Sequence, residues 1–356
     1  MQSSGDIKLE KILHSDSLIE QDGYIYISDS VFNGLYRANV DKWIVEYIGD
    51  FKEELKGQYG LHGKIICNNN QLIFTPSYAN YLYEYELLDG IINAKTKLIE
   101  SNNKPKYLSG IKIKNSIYFL PFETSKIIVL NADDVYNIEY LDCEVSVSHA
   151  VDNEGDYIWA ADARTNKLLR FNTVNTKSEI IYIENIKTGF EYLVCVDDKT
   201  LLLATKSDNS LYKYNVDTGE LITILNTELG IESLIHIEKR IIVITSSMKE
   251  IYIVKEDDLS VDKKELVCKG NVSYSKVMHI NDGIMISDDR LLLATRYDSE
   301  CTFICIDIKT REIEMIVLER PDIKREYIDL IKTRVNASDL IAENFSSDLK
   351  ILISNI

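Results

Sequence analysis

The chain of 356 residues lacks the segments that mark membrane and secreted proteins. No stretch approaches the roughly 18 consecutive apolar residues of a membrane-spanning helix. No basic start followed by an apolar core marks a signal peptide. We therefore expect a cytoplasmic protein without membrane insertion. The six cysteines are scattered, with no Cys-x-x-Cys pair, which favours buried reduced thiols over disulfides or a zinc site.

Positive charge is also scarce. The chain has 40 Lys and Arg against 57 Asp and Glu, a formal net charge of −17, and no segment concentrates the basic residues. Phosphate backbones and anionic membrane surfaces would be repelled by such a surface. The composition therefore predicts no nucleic-acid partner.

Several short catalytic and cofactor motifs are missing. The chain contains no Gly-x-Gly-x-x-Gly, no phosphate-loop lysine motif, no Gly-x-Ser-x-Gly and no His-Glu-x-x-His. These absences argue against nucleotide-binding, serine-hydrolase and zinc-protease functions. We predict no cofactor and no metal, and no residue is assigned a catalytic role from sequence.

What the chain does contain is a repeated unit, seen best at residues 189–226. Four apolar segments of about five residues are separated there by polar turns, at 192–196, 201–205, 211–215 and 221–225. Each segment is too short for a helix and is rich in Tyr, Val, Ile and Thr, as strands are. Gly219 can adopt the positive φ of a hairpin turn before the last segment. The unit is predicted to be a four-stranded antiparallel meander.

The same unit recurs at intervals of 40 to 52 residues. The third segments begin at Leu35, Leu82, Ile127, Leu168, Leu211, Ile251 and Phe303. Four strands in about 40 to 50 residues are typical of a β-propeller blade, and a closed ring buries both faces of every blade. The sequence predicts an all-β fold, a seven-bladed β-propeller of four-stranded antiparallel blades, over residues 1–319.

The last blade and the two ends of the chain are harder to place. Blade seven is predicted to begin at Tyr274 and to contain a long internal connection over residues 282–289. The outermost strand of that blade can come from residues 7–13 or from residues 312–318. After Pro321 apolar residues recur at three- and four-residue steps, which predicts a C-terminal helical extension over residues 320–356. That extension either packs on the propeller or docks another protein.

Candidate binding residues are expected at the mouth of the central channel, where the innermost strands begin. The long connection after blade one, residues 50–63, is a candidate functional loop. The predicted ligand-binding residues are Asp16, Tyr59, His62, Tyr107, His149, Glu191, Tyr192, Glu232 and Lys276.

Histidine and glutamate in this set suggest proton transfer. His62 or His149 beside Glu191 or Glu232 could act as an acid/base pair if the two side chains lie within hydrogen-bond reach. The alternative is that these residues are solvated turn positions or bind channel water. His236 and His279 lie in similar segments, Leu-Ile-His-Ile and Val-Met-His-Ile, and are assigned to packing between blades.

Residues 157–172 and 201–219 both read as strand, Asn-containing turn and strand. This pattern resembles the divergent bacterial seven-bladed propellers and covers about nine-tenths of the chain. The Trp-Asp signature of WD repeats and the paired glycines of kelch repeats are missing. Blade four also resembles streptogramin lyases, which are propellers that cleave by elimination with a metal and a histidine. The resemblance lies in the blade and carries over no catalytic residue.

Propellers support many functions, so the fold leaves the function open. Our first expectation is a non-catalytic binding or scaffolding protein that holds a protein partner through its loop face and its C-terminal tail. The alternative is an enzyme, a lyase or hydrolase, acting on a carbohydrate or peptide-like small molecule at the channel mouth. A carbohydrate-binding module is a third possibility.

Overall fold

The structure is a computed structural model and describes residues 11–54, 60–98, 104–131, 134–205, 208–269, 279–296 and 300–321. Within these ranges the strands form seven sheets, each containing a meander of four antiparallel strands, and one sheet has a fifth strand. Blade 1 comprises β1 (Ile19–Gln21), β2 (Tyr24–Ser28), β3 (Leu35–Asn39) and β4 (Val45–Gly49). Blade 2 comprises β5 (His62–Asn68), β6 (Gln71–Pro76), β7 (Tyr81–Glu86) and β8 (Ile91–Lys97). Blade 3 comprises β9 (Tyr107–Ile113), β10 (Ser116–Pro121), β11 (Lys126–Asn131) and β12 (Asp134–Asp142).

The remaining blades follow in chain order. Blade 4 comprises β13 (Val147–Glu154), β14 (Tyr157–Asp162), β15 (Lys167–Asn172) and β16 (Ser178–Tyr182). Blade 5 comprises β17 (Tyr192–Cys195), β18 (Thr200–Ala204), β19 (Ser210–Asn215) and β20 (Leu221–Asn226). Blade 6 comprises β21 (Ile231–Ile237), β22 (Arg240–Thr245), β23 (Glu250–Lys255) and β24 (Val261–Glu265). Blade 7 comprises β26 (Ile280–Ser287), β27 (Arg290–Thr295), β28 (Phe303–Asp307) and β29 (Glu312–Ile316), with β25 (Val267–Cys268) paired parallel to β29 at its outer edge. The predicted seven-bladed propeller is confirmed.

The turn after the third strand of blade 5 lies where the sequence predicts it. Between β19 and β20 the backbone N–H of Gly219 donates to the carbonyl of Asn215 at 2.9 Å, and the Asn215 side chain accepts from Thr218 N–H. Gly219 has φ of 72°, which a residue without Cβ adopts at little cost. The local sequence therefore fixes the hairpin and with it the register of the outer strand.

The hydrophobic core lies between blades. Each of seven clusters of buried apolar side chains combines residues from two adjacent blades. Trp159 of β14 is an example, because it is 2% exposed and packs with Phe190 and Leu193 of the next blade. Since every blade buries both faces against neighbours, the ring has no isolated sheet.

The ring closes where the described ends of the chain meet. The outermost antiparallel strand of blade 7 is Glu312–Ile316, one of the two predicted alternatives, while residues 7–10 lie outside the described residues. Ile12 forms a β-bridge with Glu319. The guanidinium of Arg320 donates to both carboxylate oxygens of Asp29 in blade 1, at 2.5 and 2.7 Å, and both side chains are buried. The closure therefore combines backbone pairing with a buried two-bond ion pair.

Blade 7 differs from its prediction. Residues 282–287 belong to the innermost strand Ile280–Ser287 and are not a connection. Asp282 and Gly283 resemble turn residues in the sequence, but the Asp282 carboxylate accepts backbone N–H groups from Leu18 and Gly283, which makes it compatible with a strand at the ring centre. The predicted helical extension lies outside the described residues, except for its first two positions.

Candidate functional site

The central channel contains a cavity of about 330 Å³ to which all seven blades contribute residues. Its apolar wall comes mainly from blades 3, 5 and 6. The volume is at the small end of the range for small-molecule sites in proteins. The polar side chains in the lining are Asp16, Lys64, Ser109, His149, Asp152, Tyr192, Ser233, His236, Asn281 and Asp282.

β-Bulges decide which residues face this cavity. In blades 2, 3, 4, 6 and 7 the pairing of the innermost strand with its neighbour shifts register near the strand start. In blade 2 the shift falls between His62 and Ile65, and Lys64 lines the channel while His62 does not. A regular strand would put positions 62 and 64 on one face. Gly63 sits between them, so close to blade 3 that a Cβ would lie 2.4 Å from the Leu108 carbonyl oxygen.

Asp282 joins three blades at the channel wall. Its carboxylate accepts hydrogen bonds from the Ser17 hydroxyl at 3.0 Å and from Leu18 N–H at 3.1 Å, both in the segment that starts blade 1. The Lys64 ammonium of blade 2 lies 2.8 Å from each Asp282 oxygen. The Asp282 side chain is only 13% exposed. It is therefore a fully hydrogen-bonded carboxylate that fixes the position of Lys64.

Asp16 has fewer compensating partners. Its Oδ1 accepts one hydrogen bond, from the Asn281 amide at 2.9 Å. Burial, together with the negative charge of Asp29, raises the pKa of Asp16 from 3.8 to about 7, although the positive charge of Arg296 opposes the rise. A carboxyl group with this pKa exchanges its proton near neutral pH, so Asp16 is suited to proton transfer or to binding a cation.

Asp152 of blade 4 is a second cavity carboxylate whose pKa is raised by burial. One carboxylate oxygen accepts Cys195 N–H of blade 5 at 2.9 Å, and the other accepts Asn153 N–H at 2.8 Å. Burial raises the pKa of Asp152, and the nearby His236 imidazole opposes that rise. The side chain thus connects two blades and presents a poorly compensated negative charge to the cavity.

Tyr192 and His149 form an aromatic section of the wall. Their rings are stacked, with centroids 6.0 Å apart and an interplanar angle of 16°. Burial and the negative charges of Glu232, Glu191 and Asp282 raise the pKa of Tyr192 well above its usual value. The Tyr192 hydroxyl therefore stays protonated and lies in a negative potential.

Glu232 pairs with a histidine, but not with one of those predicted. Its carboxylate oxygens lie 3.2 and 3.3 Å from Nδ1 of His279, and Glu232 is 1% exposed. The sequence pattern predicts that His279 packs between blades, in a position equivalent to that of His236. The two positions are not equivalent, because His236 lies inside the innermost strand of blade 6, whereas His279 directly precedes that of blade 7 and pairs with Glu232. His236 is also not packed between blades, since its side chain is exposed and lines the channel.

His62 and Tyr107 lie in the core. The His62 ring packs against Phe51, Phe74 and Tyr83 with centroids 4.3, 5.0 and 5.8 Å away, and its Nδ1 is 2.8 Å from the Ser28 hydroxyl. Burial lowers the pKa of His62 to about 3, so it is neutral at physiological pH. Tyr107 is 3% exposed in the layer between blades 2 and 3.

The nine predicted binding residues are thus divided. Asp16, His149 and Tyr192 line the cavity, and Glu191 acts on Tyr192 from the adjacent position. His62 and Tyr107 are in the core, and Glu232 pairs with His279. Tyr59 and Lys276 lie outside the described residues. The role of this set in binding a ligand stays a prediction.

Sequence reasoning missed several lining residues, including Lys64, Asp152, His236 and Asp282. Each is a polar residue inside an apolar innermost strand, in Gly-Lys-Ile-Ile, Ala-Val-Asp-Asn, Leu-Ile-His-Ile and Ile-Asn-Asp-Gly respectively. A polar residue within an innermost strand is the signal that would have found them, because that strand borders the channel.

Two further features of the part of the chain that the structure describes concern metal binding and membrane insertion. No group of three or more His, Cys, Asp or Glu side chains there could hold a metal ion. The described residues therefore do not fit the metal site that the resemblance to streptogramin lyases implies. Within these ranges there is no helix of the length and apolar character needed to cross a membrane.

No protein-family model and no curated protein matches the chain. Solved structures do share its fold. A streptogramin B lyase structure has a TM-score of 0.62 and 14% identity, covering 83% of this chain and 92% of that chain. A catalytically inactive virginiamycin B lyase from Staphylococcus aureus with quinupristin has a TM-score of 0.61 and 12% identity, covering 83% and 95%.

A chain from the mitotic checkpoint complex has a TM-score of 0.57 and 12% identity, covering 83% of this chain and 90% of that chain. At such identities a likeness shows the fold alone. It confirms the predicted resemblance to divergent propellers, including streptogramin lyases in blade pattern.

Proposed function

We propose that the protein binds a small polar molecule in its central channel. The observation that carries this proposal is the cavity of about 330 Å³ with polar side chains from blades 1 to 7 in its lining. Binding sites are usually concave, with a few convergent polar groups and residues of perturbed pKa, and Asp16 supplies such a group. A carbohydrate unit or a short peptide-like molecule is of suitable size.

The polar groups of the cavity are held in place before a ligand arrives. Hydrogen bonds from the backbones of neighbouring blades orient Asp282 and Asp152. Lys64 is fixed by its ion pair with Asp282. Groups fixed in this way lose little conformational entropy on binding, which favours affinity for a small ligand.

The proposal is tested with a defined mixture of amino acids, amines, sugars and sugar acids. The full chain is incubated with the mixture, separated by rapid gel filtration, and the retained compounds are identified by mass spectrometry. His236→Trp places a larger ring in the cavity at an exposed position, so it obstructs the site with little disturbance of the core. We expect the wild type to retain at least one compound and this variant to lose it.

The matched control is Leu88→Trp. Leu88 is 81% exposed on a turn of blade 2, far from the channel lining, so this variant should retain the same compounds as the wild type. Retention by His236→Trp equal to that of the wild type would contradict the proposal, as would retention of nothing by the wild type.

Catalysis at the same site is a second candidate. Asp16, with a pKa raised to about 7, can exchange a proton near neutral pH, and Nδ1 of His279 lies 3.2 Å from a carboxylate oxygen of Glu232. A lyase or hydrolase acting on a carbohydrate or peptide-like molecule would use them as acid and base. Conversion of a retained compound by the wild type, lost in Asp16→Asn, would support this candidate.

A protein partner held by the loop face and the tail is a third proposal, supported by the propeller fold and its occurrence in the mitotic checkpoint complex. The test is a pull-down with the full chain and with a version that ends at Pro321. This end point keeps Arg320, whose ion pair with Asp29 contributes to ring closure. Loss of a stoichiometric partner on truncation would support a docking tail.

A further inference from the structure

Negative charge exceeds positive charge around the channel cavity. Three carboxylates and one ammonium line it, and the ammonium of Lys64 is already paired with Asp282 at 2.8 Å. Asp16 and Asp152 remain, and the nearby Arg296 and His236 only partly offset them. The residual charge at the cavity is therefore negative when Asp16 and Asp152 are ionised.

The raised pKa values of Asp16 and Asp152 indicate the same excess of negative charge. Burial raises the pKa of both Asp16 and Asp152, so each carboxylate lacks a counter-charge sufficient to offset its desolvation. Asp29 raises the pKa of Asp16 further, and Glu154 acts on Asp152 in the same direction. A bound cation would supply the missing counter-charge.

Two buried residues whose hydroxyl groups have no protein partner point independently to a ligand. Tyr192 and Ser233 line the cavity and are only 7% and 6% exposed. Neither side-chain hydroxyl forms a hydrogen bond with any residue that the structure describes, and neither is a solvent-inaccessible atom, so both are open to the cavity that the two residues line. A ligand or water in the cavity is therefore expected to complete their hydrogen bonding. A hydroxyl oxygen can accept a hydrogen bond from an ammonium or guanidinium N–H.

Resting on the proposed channel function, we infer that the ligand is a small organic cation whose ammonium or guanidinium groups bind the carboxylates of Asp16 and Asp152 and the hydroxyls of Tyr192 and Ser233. Neutral sugars could satisfy the hydroxyls but would leave both carboxylates without a counter-charge. Anionic ligands would be repelled by them. The inference thus selects one charge class among the small polar molecules that the cavity could hold.

The test uses probes with one four-carbon skeleton and different charges: 1,4-diaminobutane, 1,4-butanediol and succinate. Agmatine adds a guanidinium probe. Binding to the full chain is measured by isothermal titration calorimetry at pH 8 and 150 mM NaCl, where screening weakens non-specific surface attraction. We expect at least one of the two cations to bind, and neither the diol nor succinate to bind detectably.

Variants locate the interaction. Asp16→Asn and Asp152→Asn should each weaken cation binding at least tenfold, because each removes one carboxylate charge and nearly preserves shape. Asp89→Asn makes the same change on an exposed turn of blade 2 and should leave affinity unchanged. Thermal melting of each variant checks that it is folded.

Four results would overturn the inference. Binding of the diol or succinate as tightly as the cations, lost in His236→Trp, would overturn the charge class and leave the channel site standing. Cation binding unchanged in Asp16→Asn and Asp152→Asn would place the cations elsewhere. A loss of affinity in Asp89→Asn equal to that in the channel variants would show a net-charge effect. Failure of both cations to bind would also overturn the inference, while the retention experiment under Proposed function would still decide whether the channel binds another molecule.

Discussion

The surroundings of Asp16 and His62 differ sharply although both residues lie near the start of an innermost strand, in adjacent blades. Asp16 lines the channel cavity with one hydrogen-bond partner and a pKa raised to about 7. His62 is enclosed by three aromatic rings between blades 1 and 2 and has a pKa lowered to about 3. Burial favours the neutral form in both cases, so it raises the pKa of the acid and lowers that of the base.

The comparison teaches that position along a propeller strand does not define a site residue. A bulge of one residue decides whether a side chain faces the channel or the layer between blades. In the proposed function the channel residues bind the ligand, whereas the aromatic pocket stabilises the fold. Substitutions in the two regions should therefore affect different properties.

The largest effect is expected in the aromatic pocket. Phe51 is 1% exposed and packs against His62, Phe74 and Tyr83. Phe51→Ala should lower the free energy of unfolding by about 3–5 kcal/mol, because it removes buried apolar area and leaves a cavity. Urea denaturation measures the change. A loss below about 1 kcal/mol would show that the pocket is not a packed core.

The next effect concerns pH and Asp16. Its pKa is 3.8 in an exposed reference state and about 7 in the folded protein, so the folded state binds more protons between these values. The free energy of unfolding contributed by Asp16 then falls as pH rises from about 4 to about 7, by up to roughly 1.4 kcal/mol per pH unit. Asp16→Asn lacks this loss and should gain stability relative to the wild type over that window. Denaturation at pH 4 to 8 tests it, and a pH-independent difference, as expected for Asp89→Asn, would contradict it.

His62 should show the opposite slope. Its pKa is 6.5 in the reference state and about 3 when folded, so the unfolded state binds more protons in between. Stability therefore falls as pH drops from about 6.5 toward about 3. His62→Gln can keep a hydrogen bond to Ser28 and should become more stable relative to the wild type as pH falls. The same denaturation series measures this, and a stability of His62→Gln that stays constant or falls relative to the wild type as pH drops would refute the buried neutral imidazole.

The smallest stability effect is expected at Tyr192. Tyr192→Phe removes only a hydroxyl that has no hydrogen-bond partner among the described residues, so the free energy of unfolding should change by less than about 0.5 kcal/mol. Binding of 1,4-diaminobutane or agmatine should nevertheless weaken several-fold. Denaturation and calorimetry on the same preparation separate the two properties. A stability loss above about 1 kcal/mol, with unchanged binding, would assign Tyr192 to the core.

Much of the fold could be predicted from local sequence. The repeat of apolar segments and turns such as that at Gly219 specifies the blades, because each meander depends on near-neighbour hydrogen bonds. Blade 7 was misjudged because Asp282 and Gly283 look like turn residues until the partners of the Asp282 carboxylate, from blades 1 and 2, are known.

The candidate site could be predicted only in part. Asp16, His149 and Tyr192 were placed near the channel by aligning strand starts, and all three line the cavity. His62 was misplaced because the bulge before Ile65 cannot be read from alternation alone. The pairing of Glu232 with His279 depends on two blades that are 47 residues apart in sequence at this contact.

The most direct test of the central claim is a crystal structure of the full chain soaked with agmatine at pH 8. The account predicts electron density inside the channel cavity, with the guanidinium or ammonium group about 3 Å from a carboxylate oxygen of Asp16 or Asp152. A cavity that holds only water, with agmatine absent or bound on the outer surface, would contradict it.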